Sequence, residues 1–162
     1  MNAPASGPVP APRVVDITSL DTHEVRMAVL RKGTPSRDPR YAQDDFPDTR
    51  HLGVRIADAT GDRLVATSTW LPASWPHDDA APAVQLRGMA VLDDVQGLGV
   101  GRLLLAAGID RARAAGARYV WARARDSAIG FYERAGFTVV GDVFVDDATG
   151  LDHHLVVLEL QR

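Results

Sequence analysis

"VQGLGVGRLLLAAG", residues 95–108, sets three alternating glycines directly ahead of a leucine- and alanine-rich run. Glycine has no Cβ, so backbone N–H groups can approach a ligand closely. The helix expected to follow adds unpaired first-turn donors and the positive end of its dipole. The stretch reads as an anion cradle. Two familiar cradles do not fit. A dinucleotide fingerprint needs GxGxxG early in a βαβ unit, with an acidic residue about 20 positions on; here the spacing is GxGxG, past mid-chain. A nucleotide P-loop needs GxxxxGK[ST], and no Lys-Ser or Lys-Thr follows these glycines.

Outward from the glycines, "AVQLRGMAVLDD" (83–94) predicts a fourth strand, interrupted at Gly88 where a bulge or a close backbone approach is expected. "GVGRLLLAAGIDRARAAG" (99–116) is the clearest helix: Leu105, Ile109 and Ala112 share a face, Arg102, Arg111 and Arg113 lie away from it, and Gly116 stands past its end. "ARYVWARA" (117–124) gives a fifth strand. Asp126 or Ser127 can cap a short helix through "AIGFYERA" (128–135), with Ala128, Phe131, Tyr132 and Ala135 on one face. "FTVVGDVFV" (137–145) and "LDHHLVVLEL" (151–160) read as the last two strands.

Towards the start, "RVVDIT" (13–18) is a first strand and "LDTHEVRMAVLR" (20–31) a first helix with Thr22 or Asp21 as its cap. From Lys32 to Arg50 the periodicity fails, and a loop this long is a candidate substrate-side lid. Its Asp44, Asp45 and Asp48 could draw in a cationic amine, although acidic loop residues ordinarily read as solvated. "HLGVRIAD" (51–58) and "DRLVATSTWLP" (62–72) form a hairpin. The element order implies an α+β fold with a mixed sheet.

Of 162 residues, 18 are Lys or Arg and 21 Asp or Glu, a formal net charge of −3 that suggests neither nucleic acid nor a membrane surface as partner. A chain of this length is expected to make one domain over 13–162, which would bury about 70% of the surface its unfolded chain exposes. The Pro/Ala-rich residues 1–12 read as a disordered lead. Cysteine is absent, which removes disulfides, thiolate catalysis and Cys-based metal sites. No HxxxH or HExxH spacing suggests another metal site. No apolar run is long enough to span a bilayer, and a cytoplasmic location is expected.

With these segments in hand, "QGLGVG" (96–101) resembles the Q/RxxGxG/A element of the GNAT superfamily of acetyl-CoA-dependent N-acetyltransferases. "AIGFYERAGF" (128–137) is similar to that superfamily's AxxFYxxxGF segment, in the same order. The likeness runs from about Val84 to Val140. "LRGMAV" (86–91), "AR" (124–125) and "TGLDHHLV" (149–156) further resemble a bacterial subgroup.

The resemblance implies a largely antiparallel central sheet of about six or seven strands flanked by helices, with strands four and five splayed. It implies acetyl-CoA as co-substrate, its pyrophosphate on the amides of Gln96, Gly97, Leu98, Gly99, Val100, Gly101 and Arg102. Met89 and Val91 would offer backbone to pantetheine and the acetyl carbonyl. Arg125, which stands where many members have Asn, and Phe131 carry over as further cofactor contacts. Tyr132 aligns with a tyrosine that many members use as general acid towards the departing thiolate. Its place on the apolar face of the helix also fits a core tyrosine, a reading that ranks behind the catalytic one. For a base or proton relay the residues offer His153, with His154 on the opposite strand face and His51 as weaker candidates; each also reads as a paired or surface histidine. The acceptor would be an amine of a small molecule or peptide, attacked directly, since neither cysteine nor a Ser-His-Asp pattern is present. A non-catalytic acyl-CoA-binding module is the alternative. Many members dimerise through their last strands, so a homodimer is expected.

Overall fold

The computed structural model describes residues 11–59 and 61–161; the expected lead over 1–12 falls, for residues 1–10, outside them. The extended stretches form strands β1 (Arg13–Ile17), β2 (Arg50–Asp58), β3 (Gly61–Pro72), β4 (Ala83–Val91), β5 (Tyr119–Arg125), β6 (Thr138–Val145) and β7 (Asp152–Glu159), with β3 buried from Val65 to Leu71. They make a seven-stranded sheet in the order β1-β2-β3-β4-β5-β7-β6. All neighbours are antiparallel except β4 and β5, whose parallel pairing requires the long crossover that helix α2 (Val100–Ala114) supplies. This is the α+β sheet expected from the sequence.

Strands β4 and β5 pair only from Ala83↔Tyr119 to Leu86↔Ala122 and then part. The divergence begins at a bulge. Against β3 the register steps from Thr69↔Arg87 to Thr67↔Ala90, so Gly88 and Met89 together oppose Ser68. Gly88 sits at φ +60, and a Cβ there would lie 3.0 Å from Arg26 Nε and 3.1 Å from the Tyr41 ring. The left-handed backbone disfavours a side chain, and a Cβ would press on both neighbours.

Helix α2 buries Leu104, Leu105, Ile109 and Ala112 against the sheet, and full burial of each leucine is worth roughly 1.5–3 kcal/mol. Gly108 brings it close: a Cβ there would fall 1.8 Å from Trp70 Cζ2. Trp70, 5% exposed, is fixed in turn by its indole N–H donating to Ser68 Oγ at 2.8 Å.

The first helical segment spans residues 20–30 as a 3-10 turn (Leu20–Thr22), a single α turn, α1 (His23–Val25), and a π turn (Arg26–Leu30). Its cap differs from the expected Thr22 or Asp21. Thr18 N–H donates to Asp21 Oδ2 at 3.0 Å while Asp21 N–H donates to Thr18 Oγ1 at 3.2 Å, a capping box three to four residues earlier, because the 3-10 turn extends the segment backwards. Helix α3 (Ile129–Arg134) likewise lacks the cap expected from Asp126 or Ser127. A 3-10 turn over Asp126–Ala128 leads into it, and the Asp126 carboxylate is taken by His154 Nε2 at 3.0 Å.

Candidate functional site

The C-terminal ends of β4 and β5, the start of α2 and the start of α3 meet around the place where the sheet opens. At the glycine turn, Gly97 and Gly99 both hold φ +80, and space is open where each Cβ would stand. Gly99 is the N-cap of α2 and no side chain bonds the first-turn amides, leaving them aimed outward. Gln96, Gly97 and Gly99 are exposed, as is Leu98 at 69%. Val100 turns its side chain into the core, so only its amide belongs to the turn; Arg102 is exposed. The third glycine has a different task. A Cβ on Gly101 would meet Phe131 Cε2 at 3.3 Å and Val91 Cγ2 at 3.4 Å, so its absence lets α2, α3 and β4 close together.

The turn is tied to the open strand by Gln96 Nε2, which donates to the Val91 carbonyl at 3.1 Å. Leu92 N–H donates to Val65 of β3 at 2.9 Å. By strand alternation the Val91 amide faces the other edge, where β5 no longer pairs, and Met89 precedes it by two residues on that edge. Next to this free edge lies a cleft of about 370 Å³, lined by Gly88 and Met89 of β4, Arg125 of β5, Tyr132 of α3 and His153 of β7.

Tyr132 is 5% exposed, its ring edge-on to Phe131 and Phe137 at 5.3 Å each. Burial pushes its phenol above the ordinary value, so the proton stays on at neutral pH. The hydroxyl has no protein hydrogen-bond partner among the described residues and borders the cleft. His153, 7% exposed, stacks on Phe144, and its Nδ1 lies 2.9 Å from the Leu151 carbonyl. A carbonyl only accepts, so Nδ1 carries the proton and Nε2 of the neutral ring keeps its lone pair. His154 points to the other face, on Asp126. His51 is removed as a base: its ring nitrogens are occupied by Thr69 Oγ1 at 2.8 Å and the Asp44 carbonyl at 2.9 Å.

Sequence reasoning missed what holds the loop between Lys32 and Thr49. Arg26, fully buried in the first helical segment, bonds Asp44 through two nitrogens at 2.8 and 3.0 Å and Thr69 Oγ1 at 2.7 Å. Asp44 is thus not solvated as its loop context suggested, whereas Asp45 and Asp48 are exposed. Burial raises the Asp44 carboxyl, but bonds from Arg26 and the Tyr41 amide outweigh it and hold the carboxyl below its ordinary value. An arginine in the first helical segment and a distant Asp in a Pro-rich loop carry no local signal; only the tertiary fold joins them.

Arg125 reaches the cleft from β5 and donates to the Leu30 carbonyl; burial lowers its pKa. Among the described residues no group of three His, Cys, Asp or Glu is disposed to hold a metal, and no helix is long and apolar enough to cross a membrane.

The family model described as Acetyltransferase (GNAT) family matches residues 20–137. The uncharacterized N-acetyltransferase YitI of Bacillus subtilis is 30% identical over 149 residues, spanning 92% of this chain and 96% of YitI. The crystal structure of Escherichia coli ElaA aligns with a TM-score of 0.73 at 21% identity, over 92% of this chain and all of that one. Arabidopsis thaliana NAA60, solved in complex with a bisubstrate analogue, aligns with a TM-score of 0.73 at 15% identity, over 93% and 100% of the two chains. At those identities the two structures speak for the fold alone.

Proposed function

The chain belongs to the GNAT acetyltransferase family, and on that premise we propose that it transfers an acetyl group from acetyl-CoA to a primary amine by direct attack. The observation that carries this reading is the glycine turn, two left-handed glycines with nothing where their side chains would be, opening onto uncapped amides of α2. Such a turn fits a diphosphate, and the adjoining unpaired edge of β4 fits an extended amide-bearing arm. Gln96, Gly97, Leu98, Gly99, Val100, Gly101 and Arg102 would hold the phosphates, largely through backbone, with Met89, Val91, Arg125 and Phe131 along the arm. When bound, acetyl-CoA supplies a thioester carbonyl whose C–S bond breaks as the amine nitrogen forms the new C–N bond.

Tyr132 keeps a proton on Oη at the cleft, available to the departing sulfur, and its raised pKa keeps that proton in place across neutral pH. His153 Nε2 offers the lone pair that accepts the amine's proton, directly or through water. The Val91 amide, free of β5, can polarise a carbonyl oxygen. One acetyltransferase domain over 13–162, a cytoplasmic location and a homodimer belong to the same reading; light scattering reads the last.

Calorimetric titration with acetyl-CoA and coenzyme A, followed by thiol release across an amine panel, tests it. Binding with amine-dependent release is the expected result. Binding without release would favour a non-catalytic acyl-CoA-binding module, and no binding of either ligand would overturn the reading.

A further inference from the structure

The charges facing the cleft do not balance. Arg31, Arg40, Arg87, Arg123 and Arg125 line it against only two carboxylates, Asp38 and Asp146. Both carboxylates are spent. Asp38 takes Arg40 through two bonds at 2.9 and 3.1 Å, which with the Arg40 amide holds it at about 2. Asp146 accepts from Thr149 at 3.1 Å and pairs with Arg123 at 3.5 Å.

Three guanidiniums are left with neutral protein partners only, among the described residues. Arg31, 6% exposed, donates through Nε to the Asp38 carbonyl at 2.9 Å. Arg87 donates to Gln43 Oε1 at 2.8 Å, and Arg125 donates to the Leu30 carbonyl. Tyr41 stacks between Arg26 and Arg87, its centroid 4.3 and 4.5 Å from their guanidinium carbons, fixing the orientation of the wall. None of the three hydrogen-bonds a carboxylate; Asp38, Asp44 and Asp146 act on Arg31, Arg87 and Arg125 only from further off, and burial outweighs that attraction and lowers the pKa of both Arg87 and Arg125. A fold retains such groups where a ligand completes them.

The phosphates of a bound coenzyme do not account for these cations, because none of residues 96–102 lines this cleft. The arginines stand on the other side of Gly88, on the bulge of β4, the end of the first helical segment and β5. They face the loop between Lys32 and Thr49 rather than α2.

We infer that the acceptor is a small amine carrying an anionic group, a carboxylate or a phosphate, which Arg87 and Arg31 hold while the amine points towards Tyr132 and His153. This rests on the acetyltransferase reading and adds to it a choice of substrate: polyamines and aminoglycosides are repelled. The guanidinium fork suits a planar carboxylate bidentately and a phosphate equally.

The test is thiol release from acetyl-CoA with free amino acids, each beside its carboxamide, with phosphoethanolamine beside ethanolamine, and with spermidine and kanamycin. Expected is release with at least one anionic amine, at a kcat/KM at least tenfold above its neutral counterpart. Amino acid against phosphoethanolamine then distinguishes carboxylate from phosphate. Arg87→Met should raise KM for the anionic amine by tenfold or more and bring the anionic-to-neutral ratio of kcat/KM close to one, a loss of discrimination that a merely structural role would not produce. Equal rates on the charged and neutral pair, preference for spermidine or kanamycin, or no release by any anionic amine while acetyl-CoA still binds would each overturn the acceptor assignment and leave the donor reading standing. Failure to bind acetyl-CoA would overturn both.

Discussion

The glycine turn and the arginine wall face each other across the opening of one sheet, and they are built from different materials. The turn is made of main chain: its donors are amides of consecutive residues, positioned by backbone angles and by the start of α2. The wall is made of side chains from the first helical segment, the loop after it, β4 and β5, held by one buried ion pair and one tyrosine ring. A backbone site tolerates changes of side chain and fails when a dihedral angle is denied. A side-chain site fails when any one of its distant supports is removed.

The largest expected effect lies where the two halves meet. Tyr132→Phe should lower turnover by about 10²- to 10⁴-fold while calorimetry returns the same acetyl-CoA affinity; unchanged turnover would take Tyr132 out of the chemistry.

On the wall, Arg26→Ala leaves Asp44 buried and unpaired and is expected to cost about 3–5 kcal/mol in denaturant unfolding. Replacing both partners, Arg26→Met with Asp44→Leu, should recover most of it, because the pair's desolvation is removed along with its attraction. If the single and double variants were equally unstable, the ion pair would not be what organises this half.

On the turn, Gly99→Ala meets no steric obstacle yet forces a left-handed alanine, at about 1–2 kcal/mol. Weakened acetyl-CoA binding with an unchanged arginine wall would sharpen the contrast. Loss of discrimination between charged and neutral acceptors in the same variant would break it.

The smallest effect is confined to acid. Asp44 has a folded pKa below its ordinary 3.8, so the stability it contributes is fully present above that value and drains away as pH falls through the folded one. Thermal melting should therefore weaken below about pH 4, and Asp44→Asn should lessen that slope. A variant with an unaltered acid limb would assign the slope to other carboxylates.

The same division explains what could be read in advance. The glycine spacing, Gly88 and the FY pair are local signals, since backbone demands are written into consecutive residues; turn, bulge and short helix stand where they were expected. The wall was not legible because its members are far apart in the chain. Asp44 lies 18 residues from Arg26, and Thr69 lies 43 from it. Asp44 looked like any acidic loop residue until the fold set it against a buried guanidinium. His51, a weaker candidate base in the sequence, proves to have partners on both ring nitrogens. The capping boundaries slipped for a gentler reason: 3-10 turns lengthen both short helical segments at their starts, and composition does not distinguish 3-10 from α.

The parallel seam between β4 and β5 holds the sheet together over four residue pairs, while every other neighbour is joined by an antiparallel ladder. In hydrogen exchange the molecule should therefore divide into two protection blocks, β1 to β4 on one side and β5 to β7 on the other, with the amide of Val91 exchanging far ahead of both. A ligand lying along that amide would then be read first as slowed deuterium uptake at the seam, and the two blocks would begin to open together.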